Sequence, residues 1–205
     1  MRSAIILAGG GSTRIDGDKG LRLLRGEALI NHVIRKVDRF TDEIVVVVAS
    51  KQQERSYKKN INEKVKILVD LYPSGSPLVG AVTGFSQAKG AHALVTGCDM
   101  PFISPEAINF LFDNVDDYDG VVFQWPNEWI EPLFAIYRVK AALKVGLNLL
   151  RKENYRLRFI LNLMPNVNKI PIKYLRKIDP KLLSLFDADT EENLRQAETL
   201  LNNAK

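Results

Sequence analysis

A chain of 205 residues with 46 % apolar and 26 % charged residues has the composition of a folded globular protein and length enough for a full core, which excludes a disordered or fibrous chain. One cysteine and two histidines exclude an internal disulfide, a thiolate cage and a histidine-rich site, so any metal must rest on carboxylates, whose hard oxygens suit Mg²⁺ or Mn²⁺. The formal charge of +5 fits a polyanionic ligand, yet the basic residues are scattered, with modest clusters at KQQERSYKK and LRKENYRLR, which argues against nucleic acid.

The first element is SAIILA, a short apolar run read as a buried strand. It is too short for a signal core, no run in the chain reaches the length of a membrane span, and a cytoplasmic protein without membrane contact is expected. LAGGGSTRIDGDKG (7–20) follows, with five glycines, Arg14 and Lys19 in fourteen positions. ALINHVIRKVDRF then sets Ile30, Val33, Ile34 and Val37 on one helical stripe. EIVVVVAS and VKILVD are two further strands, and PLVGAVTGFSQA is a helix with Leu78, Val82 and Phe85 on its inner face. HALVTGCD is the fourth strand, and SPEAINFLFDNV opens a helix with Ser104 as N-cap and Pro105 at the first helical position.

This βαβα alternation predicts an α/β fold: one domain over 1–205, a three-layer α/β/α sandwich with a Rossmann-like, mostly parallel sheet. DGVVFQW and EPLFAIYR lie too close together for a crossover helix and predict an antiparallel excursion in the second half. VKAALKVGLNLLRKE reads as a helix, VNKIPIKYL as a late strand, and DTEENLRQAETLLNNA as a terminal helix capped by Asp189 or Thr190. Ligands of such sheets sit beyond the carboxyl ends of the strands, which singles out Gly9 to Lys19, Asp70 and Asp99.

Three phosphate-binding designs begin with a glycine-rich turn after a strand. A Walker A loop needs Gly-Lys-Ser/Thr, but Lys19 stands between Asp18 and Gly20. A dinucleotide fingerprint needs a glycine where Arg14 stands and an acidic residue where the second strand runs into ASKQQ. What remains is a loop offering backbone donors from Gly9 to Ser12, with Arg14 and Lys19 as cations able to flank a triphosphate and to balance charge on departing pyrophosphate.

LAGGGSTRIDGDKG resembles the LAGGxSxRMGxDK signature of the nucleotidyltransferases. The branch it is most similar to is that of the molybdenum cofactor guanylyltransferases, because the other motifs fall in that order along nearly the whole chain. Asp70 ends VKILVD, GSPLVGAVTGF resembles a GPLAG-then-helix segment, TGCDMPFISPEAI a CDMPF motif, EPLFAIYR a PLFALY strand, and FDADTEENL a closing NxNTPEDL. Departures are Ile15 for Met, Asp16 for Gly, and Asp187 and Asp189 for the closing Asn pair, the last change being similar to relatives that transfer cytidylyl groups or use other acceptors.

The resemblance implies transfer of GMP from GTP to the phosphate of molybdenum-molybdopterin, releasing pyrophosphate, with Mg²⁺ or Mn²⁺ as cofactor. It implies nucleotide binding by Leu7, Ala8, Gly9, Gly10, Gly11, Ser12, Lys19, Asp70 and Asp99, and catalytic roles for Arg14, Lys19 and Asp99. Asp99 is the expected metal ligand. Asp189 is either its companion from across the site or simply the cap of the last helix. Partners implied are GTP, molybdenum-molybdopterin, and molybdoenzyme chaperones or other cofactor-biosynthesis proteins, with neither nucleic acid nor membrane. The same residues leave two rivals open: a related transferase using CTP or another phosphate acceptor, and a non-catalytic protein that binds nucleotide and cofactor. Cys98, in an apolar strand with no histidine nearby in sequence, reads as a small core residue. Trp125 and Trp129 read as packing residues or as the lining of an aromatic pterin pocket.

Overall fold

The structure, a computed structural model, describes residues 1–10, 18–61, 65–72 and 75–202. Strand β1 (Arg2–Leu7) leads into the glycine loop, whose far end is a 3₁₀ turn at Lys19–Leu21. A small hairpin follows, β2 (Leu23–Leu24) and β3 (Glu27–Ala28), reversed at Arg25 and Gly26 with φ of 52° and 77°. Paired left-handed residues match the strand twist, and glycine takes the second at little cost. In α1 (Leu29–Val37) all four stripe residues are fully buried.

β4 (Glu43–Val48) runs into α2 (Lys51–Asn60), which is the basic KQQERSYKK segment. Tyr57 is its one buried residue, so it carries no apolar stripe by which sequence could announce it. The hydroxyl of Ser50 caps it, accepting from the Gln53 N–H at 3.1 Å. Then come β5 (Lys66–Val69), α3 (Pro77–Gln87), β6 (His92–Gly97) and α4 (Pro105–Asp113). Ser104 accepts from the Ala107 N–H at 3.2 Å, the cap expected of it. α3 is buried along its whole length from Leu78 to Phe85, not on one face only.

The second half contributes β7 (Gly120–Gln124), β8 (Ile130–Arg138), α5 (Val139–Arg151), α6 (Arg158–Leu163), β9 (Val167–Pro171), α7 (Lys173–Ile178) and α8 (Glu191–Asn202). VNKIPIKYL is thus a strand only in its first five residues. Its partner β7 ends at Gln124, opposite Pro171, and beyond that pairing the chain coils into α7.

Seven strands form one sheet in the order β5-β4-β1-β6-β8-β7-β9. β5, β4, β1 and β6 are parallel neighbours, β8 runs antiparallel to both β6 and β7, and β9 returns parallel to β7. Alternate side chains feed two cores, as a sheet covered on both faces requires. Ala4, Ile6, Val46, Val48 and Leu94 pack under α1, α2, α4 and α7, whereas Ile5, Val45, Val47, Ala93 and Val95 pack under α3, α5 and α6. The result is the expected mostly parallel three-layer sandwich, with the antiparallel excursion built into the sheet itself. No helix among the described residues is long and apolar enough to cross a membrane.

From β1 the chain winds outward through β4 and β5 on one side and then crosses by α3 to β6 on the other. Connections therefore diverge at the carboxyl end of β1 and open a crevice there.

Candidate active site

That crevice is an open cleft. Its floor is the carboxyl ends of β1 (Leu7, Gly9, Gly10), β4 (Val47) and β6 (Gly97 to Asp99), with Asp70 just past β5 at one end. One wall is the start of α3, from Gly75 to Gly80, which points the positive end of an eleven-residue helix at the cleft. Lys19 and Leu133 complete the lining.

At the other end from Asp70, the Lys19 ammonium lies 3.7 Å from Asp99 Oδ2 and 4.0 Å from Asp189 Oδ2. The three side chains are 26, 16 and 42 % exposed, so the group sits at the mouth of the cleft and is partly shielded from water. Two hydrogen bonds, one between backbone groups and one from a side chain, carry Asp189 there from the far end of the chain. The Ala188 N–H donates to Asp99 O at 2.8 Å, and Arg22 Nη1 donates to Asp189 O at 3.0 Å. The cap question also resolves. Thr190 Oγ1 accepts from the Asn193 N–H at 3.0 Å and caps α8, while Asp189 accepts from the Asn193 side-chain amide and turns its other oxygen to Lys19.

Two further carboxyls add to the local charge. Glu131, at the start of β8, is pushed above the usual carboxylate range by burial and by Asp99. Asp187 is pushed up to about 7 by partial burial of its carboxyl and by the charges of Asp99, Glu131 and Asp189. Asp99 itself is raised by burial, with Lys19 opposing. Glu131 was not singled out in sequence. It reaches the site only because β8 runs antiparallel to β6 and so brings its amino end beside Asp99.

Lys19, Asp70 and Asp99 line one cleft together with Leu7, Gly9 and Gly10. Ala8 lies beneath it, with its N–H bonded to Val47 O at 2.7 Å and its carbonyl facing the Tyr57 hydroxyl. Gly11, Ser12 and Arg14 lie outside the described residues. At Asp70, Oδ1 is buried with no hydrogen-bond partner among the described residues, and burial raises the carboxyl to about 6 against the opposing pull of the Thr83 hydroxyl. Cys98 is buried and its thiol pushed up, chiefly by burial, in keeping with a core role. Trp125 packs edge-on to Trp129, with the Arg176 guanidinium 5.9 Å above its ring, and neither tryptophan lines the cleft.

Among the described residues no three His, Cys, Asp or Glu converge as a ready-made metal cage. Two carboxylates brought together on one ammonium, Asp99 and Asp189, nevertheless fit a hard divalent ion that completes its shell with phosphate oxygens and water, as Mg²⁺ does.

A mostly parallel sheet with a glycine loop, a lysine and two carboxylates at the carboxyl ends of its strands is the build of a nucleotidyltransferase. Comparison with known proteins narrows the class. The family model of the MobA-like NTP transferase domain matches residues 4–167, and the chain belongs to that family. A protein of Natronomonas pharaonis named probable molybdenum cofactor guanylyltransferase is 31 % identical over 98 % of both chains. One from Desulfosudis oleivorans, named molybdenum cofactor guanylyltransferase, is 29 % identical over 97 % of this chain and 95 % of its own. Among solved structures, molybdopterin-guanine dinucleotide biosynthesis protein A from Archaeoglobus fulgidus superposes with a TM-score of 0.82 at 25 % identity, covering 99 % of this chain and all of its own.

Proposed function

We infer that the chain catalyses guanylyl transfer in molybdenum cofactor biosynthesis: GTP and the phosphate of molybdenum-molybdopterin give the guanine dinucleotide form of the cofactor and pyrophosphate. The observation that carries this reading is the convergence of Lys19, Asp99 and Asp189 at one end of a cleft whose other end holds Asp70. An attacking phosphate is already anionic, so the site needs no strong general base. Its work is to align the two substrates and to offset their charge.

In this reading the loop after β1 and Lys19 hold the β and γ phosphates, with Arg14 beside them, and the ammonium neutralises charge as pyrophosphate departs. Asp70 takes the nucleoside end. Asp99 and Asp189 would hold Mg²⁺, which when bound supplies Lewis acidity at the α-phosphate and offsets the repulsion between two anionic substrates. The whole of 1–205 is proposed to act as one domain, since Asp189 lies beyond the matched residues 4–167 and yet closes on Lys19. A cytoplasmic location, where GTP is plentiful, belongs to the same proposal.

A thermal-shift panel of GTP, CTP, ATP and UTP with Mg²⁺ tests the nucleotide, and GTP is expected to stabilise the chain well above CTP. A reversed order would move the assignment to cytidylyl transfer, the alternative suggested by Asp187 and Asp189. Pyrophosphate release from GTP in the presence of molybdenum-molybdopterin then tests the reaction.

A further inference from the structure

Lys19 lies between two neighbours that are both seated on α2. On one side, Gln53 Nε2 donates to Asp18 Oδ1 at 2.6 Å. The same amide accepts the Ala49 N–H on its oxygen at 2.7 Å, which ties it to the carboxyl end of β4. A carboxylate only accepts and a backbone N–H only donates, so the orientation of the Gln53 amide is forced. On the other side, Gly20 lies flat against α2 one turn further on: a Cβ there would stand 2.7 Å from the Tyr57 hydroxyl and 3.0 Å from Cys98 Sγ. Gln53 and Tyr57, four residues apart, share one face of the helix. The chain is thus gripped at 18 and at 20, and the side chain of Lys19 is left to reach Asp99 and Asp189.

We propose that Gln53 is a positioning residue for this reaction, a strut that through Asp18 sets the place of the Lys19 ammonium against the transferring phosphates. The proposal rests on the reading of Lys19 as a phosphate ligand. Nothing in the signature around Lys19 marks Gln53, which lies thirty-four residues on in a segment notable in sequence only for its charge.

Exchanging donor and acceptor tests it. Gln53→Glu keeps an oxygen for the Ala49 N–H but turns a second one toward the Asp18 carboxylate, so the strut becomes repulsive. The double variant Gln53→Glu with Asp18→Asn restores the bond with its polarity reversed, because the new amide donates to the new carboxylate and the charge of the pair is unchanged. Gln53→Glu is expected to lower kcat for pyrophosphate release by about tenfold to a hundredfold, the usual effect of misplacing a catalytic group by an ångström, with a smaller change in KM for GTP. The double variant is expected to return to within about threefold of wild type, as coupled neighbours do.

A readout that needs no substrate accompanies these. In a brief pulse of an amine-acylating ester followed by mass spectrometry, Lys19 is compared with Lys51, whose side chain is 77 % exposed. Lys19 should be labelled faster in Gln53→Glu and at the wild-type rate in the double variant. Wild-type turnover in Gln53→Glu, or a double variant no faster than that single one, overturns the proposal. Should the wild-type chain release no pyrophosphate from GTP, the functional reading fails by itself and the labelling ratios decide the strut: unchanged labelling across the variants overturns it.

Discussion

Replacing Asp70 with asparagine should improve stability and impair nucleotide binding, and both effects follow from one buried oxygen. Its Oδ1 has no hydrogen-bond partner among the described residues, and burial lifts the carboxyl from 3.8 to about 6. An acid whose folded-state pKa is raised binds more protons folded than unfolded. Ionisation therefore adds nothing to the cost of burial while the group is protonated in both states, below about pH 4, and adds most once it is ionised in both, above about pH 6. A shift of about two units corresponds to a ceiling of about 3 kcal/mol. Asp70 is partly exposed at the cleft, which brings the expected gain of Asp70→Asn at pH 7.5 to about 1–2 kcal/mol, or about 3–6 °C in melting temperature for a chain of this size. The gain should vanish near pH 4.

Binding runs the other way. If the ionised carboxylate accepts an N–H or O–H from the nucleoside, then at pH 5 only about one molecule in ten is competent, and GTP should bind about tenfold more weakly than at pH 7. Calorimetric titration of wild type and Asp70→Asn from pH 5 to 8 removes the contribution of the triphosphate's own titration, because the variant shares it. A melting temperature at pH 7.5 that is unchanged or lower in the variant refutes the burial argument. Identical pH profiles for the two proteins refute the binding role.

Lys19→Ala should keep the fold, weaken GTP binding and abolish turnover, and an unchanged affinity by calorimetry would remove Lys19 from the site. Asp99→Asn retains shape but loses charge, so pyrophosphate release across a Mg²⁺ titration should fall on the order of a thousandfold or more, whereas Asp189→Asn, keeping a neutral oxygen ligand, should lose tenfold or less. An Asp99→Asn enzyme near the wild-type rate would sink the metal assignment. Gly20→Ala must displace the Tyr57 hydroxyl or Cys98, which predicts a loss of about 1–3 kcal/mol in chemical denaturation together with lower turnover; a variant as stable as wild type would show that the loop does not rest on α2 as described.

Periodicity and punctuation in the sequence were enough for the parallel core: valine-rich runs ending in Gly, Ser or Asp, the α1 stripe, the Ser104–Pro105 helix start and the glycine loop that names the carboxyl end of β1. These are local properties, written in residues a few positions apart. Helix α2 escaped because it buries a single side chain, and the end of β9 escaped because a strand stops where its partner stops. Glu131 and the seating of Asp189 on Lys19 required tertiary structure for a different reason. A side chain's place in a site depends on strand order and direction, and on backbone bonds such as Ala188 N–H to Asp99 O that join residues 89 positions apart in the chain. The motifs around Lys19 and Asp99 were legible in the sequence; only the packing of β8 and of the segment before α8 against β6 determined which carboxylates lie beside them.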